Sequence, residues 1–124
     1  MSWTPDELTR IGAAEELEVS SYREDGTRRP FVTIWVVRVG DDVVVRSAYG
    51  PRNGWFRHAQ ESGRGRIRAG GVEKDVTFED IDPGDPVNER IDAVYRQKYG
   101  AGSSSVVAIT ADVAREATLK VRPR

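Results

Sequence analysis

Between Val43 and Gly71 the chain reads VVVRSAYGPRNGWFRHAQESGRGRIRAGG, and three kinds of local structure follow one another within it. The β-branched run that opens it continues to Tyr49 as a strand, because such side chains pack well on a pleated, half-buried surface. Gly50-Pro51-Arg52-Asn53-Gly54 then interrupts it with a cluster of turn-forming residues. Trp55 and Phe56 open a short polar helical stretch. After it, "RGRIRA", Gly70-Gly71 and "VEKDVTFEDI" read as a hairpin, with Val72, Val76 and Phe78 facing inward and Lys74 interrupting the alternation. Strand, loop, short helix and hairpin in this order belong to an antiparallel β protein.

The same stretch gathers Arg46, Arg52, Arg57, Arg64, Arg66 and Arg68 against one acid, Glu61, a local charge of +5 in a chain of net charge −1. A general nucleic-acid binder is more usually basic as a whole, so nucleic acid is not an expected partner. A basic island in an otherwise acidic chain suits a small anionic ligand, or else it is a solvated surface.

Working towards the N-terminus, Arg29 to Val39, "RPFVTIWVVRV", is β-branched and aromatic with apolar side chains on both faces. Such a strand is covered on both sides, as in a barrel or a dimer interface. "LEVSSYR" from Leu17 precedes it as a weakly alternating strand, and Asp25-Gly26 supplies the turn between them. Before that, Thr4 as N-cap, Pro5 at the first position and Glu7 completing a capping box announce a helix over about residues 5–16. Trp3 and Leu8 stand as a hydrophobic staple, and Leu8, Ile11 and Ala14 form the buried stripe.

Working towards the C-terminus, Asp85 and Pro86 start a longer helix with Val87, Ile91, Val94, Tyr95 and Tyr99 on its apolar stripe, closed by Gly100. "VVAIT" and "EATLKVR" read as the last two strands, with "ADVAR" as a tight bend or single helical turn between them. A chain of 124 residues with this spacing is expected to be one domain over residues 1–124, a small barrel or sandwich.

Composition narrows the chemistry. No cysteine is present, so disulfides, zinc thiolates and thiol nucleophiles are excluded, and a single histidine makes a histidine metal cage improbable. The first ten residues lack the regions of a signal peptide and no apolar run reaches membrane length, so the expectation is a cytoplasmic protein without a membrane partner. With 38% hydrophobic residues the core is thin, which favours supplementing it by dimerisation.

The turn-linked strands about Asp25-Gly26, the long strand, and then Ser47, Pro51-Arg52, Trp55-Phe56, Arg64 and Gly70-Gly71 resemble the flavin-binding split-barrel superfamily, which includes the pyridoxamine phosphate oxidase-like proteins. Within it they resemble most the deazaflavin-dependent nitroreductase branch. The whole chain is also similar to an uncharacterised bacterial family, domain of unknown function 2255, on that fold. The resemblance implies a mostly β protein: a six-stranded Greek-key split barrel with an N-terminal helix, a short helix after the third strand and a longer helix before the last two strands. It further implies a homodimer holding FMN or a deazaflavin coenzyme between subunits and acting as an oxidoreductase on a small organic molecule.

On that resemblance the cofactor's phosphate would sit against Arg52 and Arg57, and its ring would lie along the preceding strand. Guanidinium forks match phosphate oxygens, and the Asn53-Gly54 bend presents backbone N–H groups beside a helix start. Ser47 and Tyr49 would hydrogen-bond the same ligand, while Thr33 and Trp35 would line the ring. Trp55 stands either as a stacking partner or, with Phe56, as a plug of the core. His58, the lone histidine, has no acid nearby in sequence to orient it, so a surface position and an acid–base role both stay open. Arg64, Arg66 and Arg68 alternate with Gly65, Ile67 and Ala69 as one polar strand face. No nucleophile–base pair stands out, as expected where a cofactor carries the chemistry. A non-catalytic module for an anionic ligand, or a structural homodimer, would use the same scaffold.

Overall fold

The computed structural model describes residues 2–124. Seven strands form one antiparallel sheet in the order β2-β1-β5-β6-β7-β4-β3. They are β1 (Glu16–Ser21), β2 (Val32–Trp35), β3 (Val37–Val39), β4 (Asp42–Arg46), β5 (Arg64–Ala69), β6 (Val72–Asp80) and β7 (Thr118–Pro123). The two ends of this order, β2 and β3, are separated in sequence by Val36 alone, so the sheet curls until it is nearly closed. Closure removes the exposed edges that strands this apolar would otherwise offer for aggregation.

The six-strand expectation is corrected here, because the run from Arg29 to Val39 is two strands. At Val36 the chain changes partners: Glu16 faces Trp35 across β1, whereas Val37 faces Val44 across β4. The groups that leave the ladder at the break are satisfied from the helix packed outside it, α3 (Val87–Tyr99). The Val36 N–H donates to the Tyr99 hydroxyl at 3.2 Å, and Lys98 Nζ donates to the Val36 carbonyl at 2.7 Å. A buried peptide left without such partners would cost as much as a lost hydrogen bond. Half-burial pushes the Tyr99 hydroxyl pKa up and that of Lys98 down from their ordinary values.

Side chains still alternate through the break. Val36 points into the barrel core with Val43, Val45, Phe56, Ile67, Val76 and Leu119, and half-buried Ile34 packs against the same cluster. Val37 and Val39 point outward, with Val44, onto Ile91 and Tyr95 of α3. The strand is thus covered on both faces by its own chain, and burial of each Val or Ile here stabilises by about 1.5–3 kcal/mol.

Helix α1 (Pro5–Ala13) has its full capping box, with Thr4 and Glu7 bonded reciprocally, but ends three residues early: it stops at Ala13 rather than residue 16, because Glu16 already pairs in β1. Trp3 is buried beside it and donates its indole N–H to the Val121 carbonyl at 3.0 Å. Lys74, which breaks the alternation of β6, reaches Glu7 at 2.6 Å.

The segment "VVAIT" is not a strand but most of α4 (Ser104–Ile109). The Ser103 hydroxyl accepts from the Ser105 N–H at 3.2 Å and starts it. Only Val106 and Ile109, three apart, are buried, while Val107 is 62% exposed, so the burial follows a helical period. One strand rather than two therefore follows α3, and "ADVAR" contributes the single turn α5 (Asp112–Arg115). Helix α3 starts one residue later than read, with Pro86 at the N-cap position, and the Asp85 carboxylate ahead of it accepts from the Val87 N–H at 2.9 Å. No helix among the described residues is long and apolar enough to cross a membrane.

Candidate functional site

Where β4 ends, the chain leaves the sheet at Arg46 and turns through Ser47 to Gly50, held by Ser47 N–H to the Ala117 carbonyl and Gly50 N–H to the Ser47 carbonyl. It re-enters order at α2 (Gly54–Ser62), which lies over the barrel mouth with Phe56 and Ala59 buried and ends at Gly63 in a left-handed conformation. Between this turn, β2 and α4 lies a concavity of about 410 Å³. Thr33 and Trp35 form one side, Ala48, Tyr49, Asn53 and Trp55 the opposite rim, and Ser105 and Ile109 of α4 the third.

Five of the eight residues singled out in the sequence meet here: Thr33, Trp35, Tyr49, Asn53 and Trp55. Trp35 lies flat on Tyr99, centroids 4.0 Å apart and planes 6° from parallel, so its orientation is set by the same tyrosine that secures Val36. Trp55 meets Phe56 edge-on at 6.0 Å and packs on the barrel core with part of its ring free. It is both plug and wall. The Asn53 carbonyl accepts from the Arg57 N–H at 3.1 Å, but its side chain makes no capping bond to α2. Tyr49 is 77% exposed at the rim.

The other three do not join them. Ser47 is buried beneath the turn, its hydroxyl without a hydrogen-bond partner among the described residues, and it does not line the concavity. Arg52 and Arg57 are both exposed, line no part of this concavity, and form no ion pair among the described residues. The backbone explains this for Arg52, which sits on the outside of the Pro51-to-Asn53 bend before α2 begins. Arg57 lies next to the inward-facing Phe56 and two residues before the buried Ala59, so it projects from the outer face of α2.

Arg46 behaves in the opposite way. It closes the inner end of the concavity and is otherwise fully buried. Its guanidinium pairs with Asp92, donates to the Asn88 side chain at 2.9 Å and the Thr118 hydroxyl at 2.9 Å, and lies 5.8 Å from the Tyr95 ring centre. Asp92 also takes Arg115 at 2.6 Å. Burial pushes the Tyr95 hydroxyl pKa well up, with the Arg46 charge acting against it. Sequence reading placed Arg46 in the surface island, yet a signal was present. Asn88 and Asp92 share the helical face of Ile91 and Tyr95, and polar residues on a buried stripe call for a buried partner.

Arg64, Arg66 and Arg68 do share one face of β5, opposite the buried Gly65, Ile67 and Ala69. Their charge is largely committed, Arg66 to Glu73 at 2.7 Å and Asp75 at 3.1 Å, and Arg68 to Glu18 at 3.0 Å.

This nearly closed sheet, with a helix over its mouth and another outside its seam, is a split β-barrel, a fold it shares with several solved structures. An F420 reductase superposes with a TM-score of 0.61 at 14% identity, over 94% of this chain and 91% of its own. HutZ, the heme storage protein from Vibrio cholerae, gives 0.71 at 9% identity, over 100% and 92%. An FAD and heme binding protein from Mycobacterium smegmatis gives 0.58 at 16% identity, over 98% and 65%. The chain itself belongs to the bacterial family described as "Uncharacterized protein conserved in bacteria (DUF2255)", which matches residues 7–121. No curated protein matches the sequence.

Proposed function

We propose that the chain binds a flavin-type cofactor, FMN or a deazaflavin coenzyme, in the concavity between β2, the Ser47–Asn53 turn and α4, and works with it as an oxidoreductase on a small organic acceptor. One observation carries this reading: residues distant in sequence bring two indoles, Trp35 and Trp55, to a single hollow walled by Val32, Ile34, Ala48 and Ile109. That is the lining a flat, largely apolar ring requires, with a few polar groups to fix its orientation. Thr33, Asn53 and Ser105 supply those groups. Likeness of fold to proteins whose names include F420 and FAD supports the choice of ring, and a heme-storing relative marks the breadth of that likeness.

When bound, such a cofactor supplies the hydride-transfer chemistry. The chain's own part is to bind, orient and exclude water. Trp35, immobilised by Tyr99, gives one rigid face. Arg46 closes the inner end with its charge neutralised from behind by Asp92, so no unpaired charge faces the ring. Val32 and Tyr49, 40% and 77% exposed, form an apolar rim that a second copy of the chain would cover, which makes a homodimer part of the proposal.

Titration of the purified protein with FMN and with the deazaflavin coenzyme, followed by tryptophan fluorescence and calorimetry, tests the reading. Saturable binding of one of them is expected, weakened at least about tenfold by Trp35→Ala. Absence of binding by both removes the proposal. A second reading, a binding module without turnover, is favoured by the lack of any His, Asp or Glu in the lining. Binding that persists with no acceptor reduced under any electron donor would decide for it.

A further inference from the structure

The aromatic concavity does not stand alone. A second hollow of about 280 Å³ shares the walls Val32 and Trp55 with it and is mostly apolar, with Val19 and Pro30 in its lining beside Ser21, Arg29 and His58. That hollow in turn shares Arg29 and His58 with a third, of about 520 Å³, lined also by Tyr22, Arg23, Glu24, Asp25, Glu61, Ser62 and Arg64. The three form one trough along α2: aromatic at one end, apolar in the middle, charged at the other.

Burial sorts the charges of that last part. Glu24, Asp25, Glu61, Arg23 and Arg64 are exposed at its rim, where both signs mix in water and ions screen them. Asp25 is further committed to the Thr27 N–H at 2.9 Å and hydroxyl at 2.7 Å. Half-buried Tyr22 and Ser62 are spent as well, on Asp75 at 2.9 Å and the Arg64 carbonyl at 3.0 Å. The remaining half-buried polar groups are Arg29 and His58, and they stand at the junction of the apolar and charged parts. The Arg29 guanidinium has no hydrogen bond or ion pair among the described residues, in a chain that forms ten ion pairs elsewhere. Nδ1 of His58 is shielded from solvent, whereas Nε2 is neither shielded nor hydrogen-bonded among the described residues and is the ring nitrogen a ligand can meet. A partly desolvated, unpaired guanidinium and an unbonded imidazole nitrogen that line the same two hollows, with the acids Glu24, Asp25 and Glu61 exposed, are arranged for an anion.

We propose that Arg29 and His58 clamp the anionic tail, a phosphate or carboxylate, of a ligand whose ring occupies the aromatic end of the trough. This rests on the ring-binding reading above and replaces Arg52 and Arg57 with a different pair as the anion site. His58 holds the tail as a hydrogen-bond donor and takes no part as an acid or base.

The test uses the intact protein, and His58 as the only histidine gives an unambiguous imidazole NMR signal. Inorganic phosphate is titrated against that signal, and affinities for FMN and riboflavin, the same ring with and without phosphate, are compared by calorimetry. Expected results are a saturable shift of the His58 resonances by phosphate, and an FMN preference over riboflavin that Arg29→Gln lowers about tenfold or more. Unchanged riboflavin affinity in that variant shows that it is folded. An FMN preference that survives Arg29→Gln but falls in Arg52→Gln or Arg57→Gln, or a His58 signal unmoved by phosphate, overturns the clamp and leaves the ring site standing. Phosphate binding at His58 with no affinity for FMN, riboflavin or the deazaflavin coenzyme instead overturns the ring reading and keeps the anion site.

Discussion

Arg46 and Arg52 lie six residues apart and belong to the same basic stretch, yet one is sealed in the protein and the other is free in water. The difference lies in what surrounds the backbone at each point. Arg46 is the last residue of a strand covered on both faces, and α3 offers it Asp92 and Asn88. Arg52 follows Pro51 in a loop that has left the sheet. A local excess of positive charge in a sequence therefore says little about a binding surface until each cation's partner is known. Charge that is buried and paired holds structure; charge that is half-buried and unpaired, as at Arg29, is what a ligand can use.

The comparison can be broken most forcefully at its buried end. Arg46→Met leaves Asp92 with only Arg115 and the Asn88 side chain without its donor, so a loss on the order of 3–5 kcal/mol is expected in denaturant unfolding. Arg46→Met combined with Asp92→Leu is expected to recover much of it, because a well-packed apolar pair replaces a satisfied ionic one at little cost. If Arg46→Met is harmless, the contrast drawn here fails. Half-burial predicts an intermediate effect. Tyr99→Phe keeps the stack on Trp35 but removes the hydroxyl that serves Val36, for a loss of about 1 kcal/mol and faster amide exchange at Val36. The smallest change is expected at the exposed end, where Arg52→Ala and Arg57→Ala should each alter stability by less than about 0.5 kcal/mol.

Much of the barrel was legible before any coordinates. Capping chemistry is local, so Thr4, Glu7 and Asp85 marked helix starts to within a residue; alternating runs marked β1, β5 and β6, and a β-branched run marked β4, which ends at Arg46 rather than Tyr49. The errors came where tertiary partners decide. "VVAIT" is as β-branched as any strand, but Ser103 ahead of it and one-sided burial make it a helix. Nothing in "RPFVTIWVVRV" announces a break at Val36, because its cause lies in Tyr99 and Lys98, more than sixty residues away. At the candidate site the aromatic and loop residues were found through their resemblance to a superfamily pattern. Arg29 was passed over because an arginine at a strand start looks solvated until the neighbouring hollows are seen.

The seam at Val36 has a consequence for how the molecule assembles. A link between residues 36 and 99 spans 63 positions, and so distant a contact is slow to form compared with the hairpins on either side of it. Trp35 takes its fixed attitude only once Tyr99 has docked, so the hollow is completed after the local hairpins β3–β4 and β5–β6 can already have paired. A nascent chain that ends before α3 would lack both this prop and β7, the stave that joins β6 to β4.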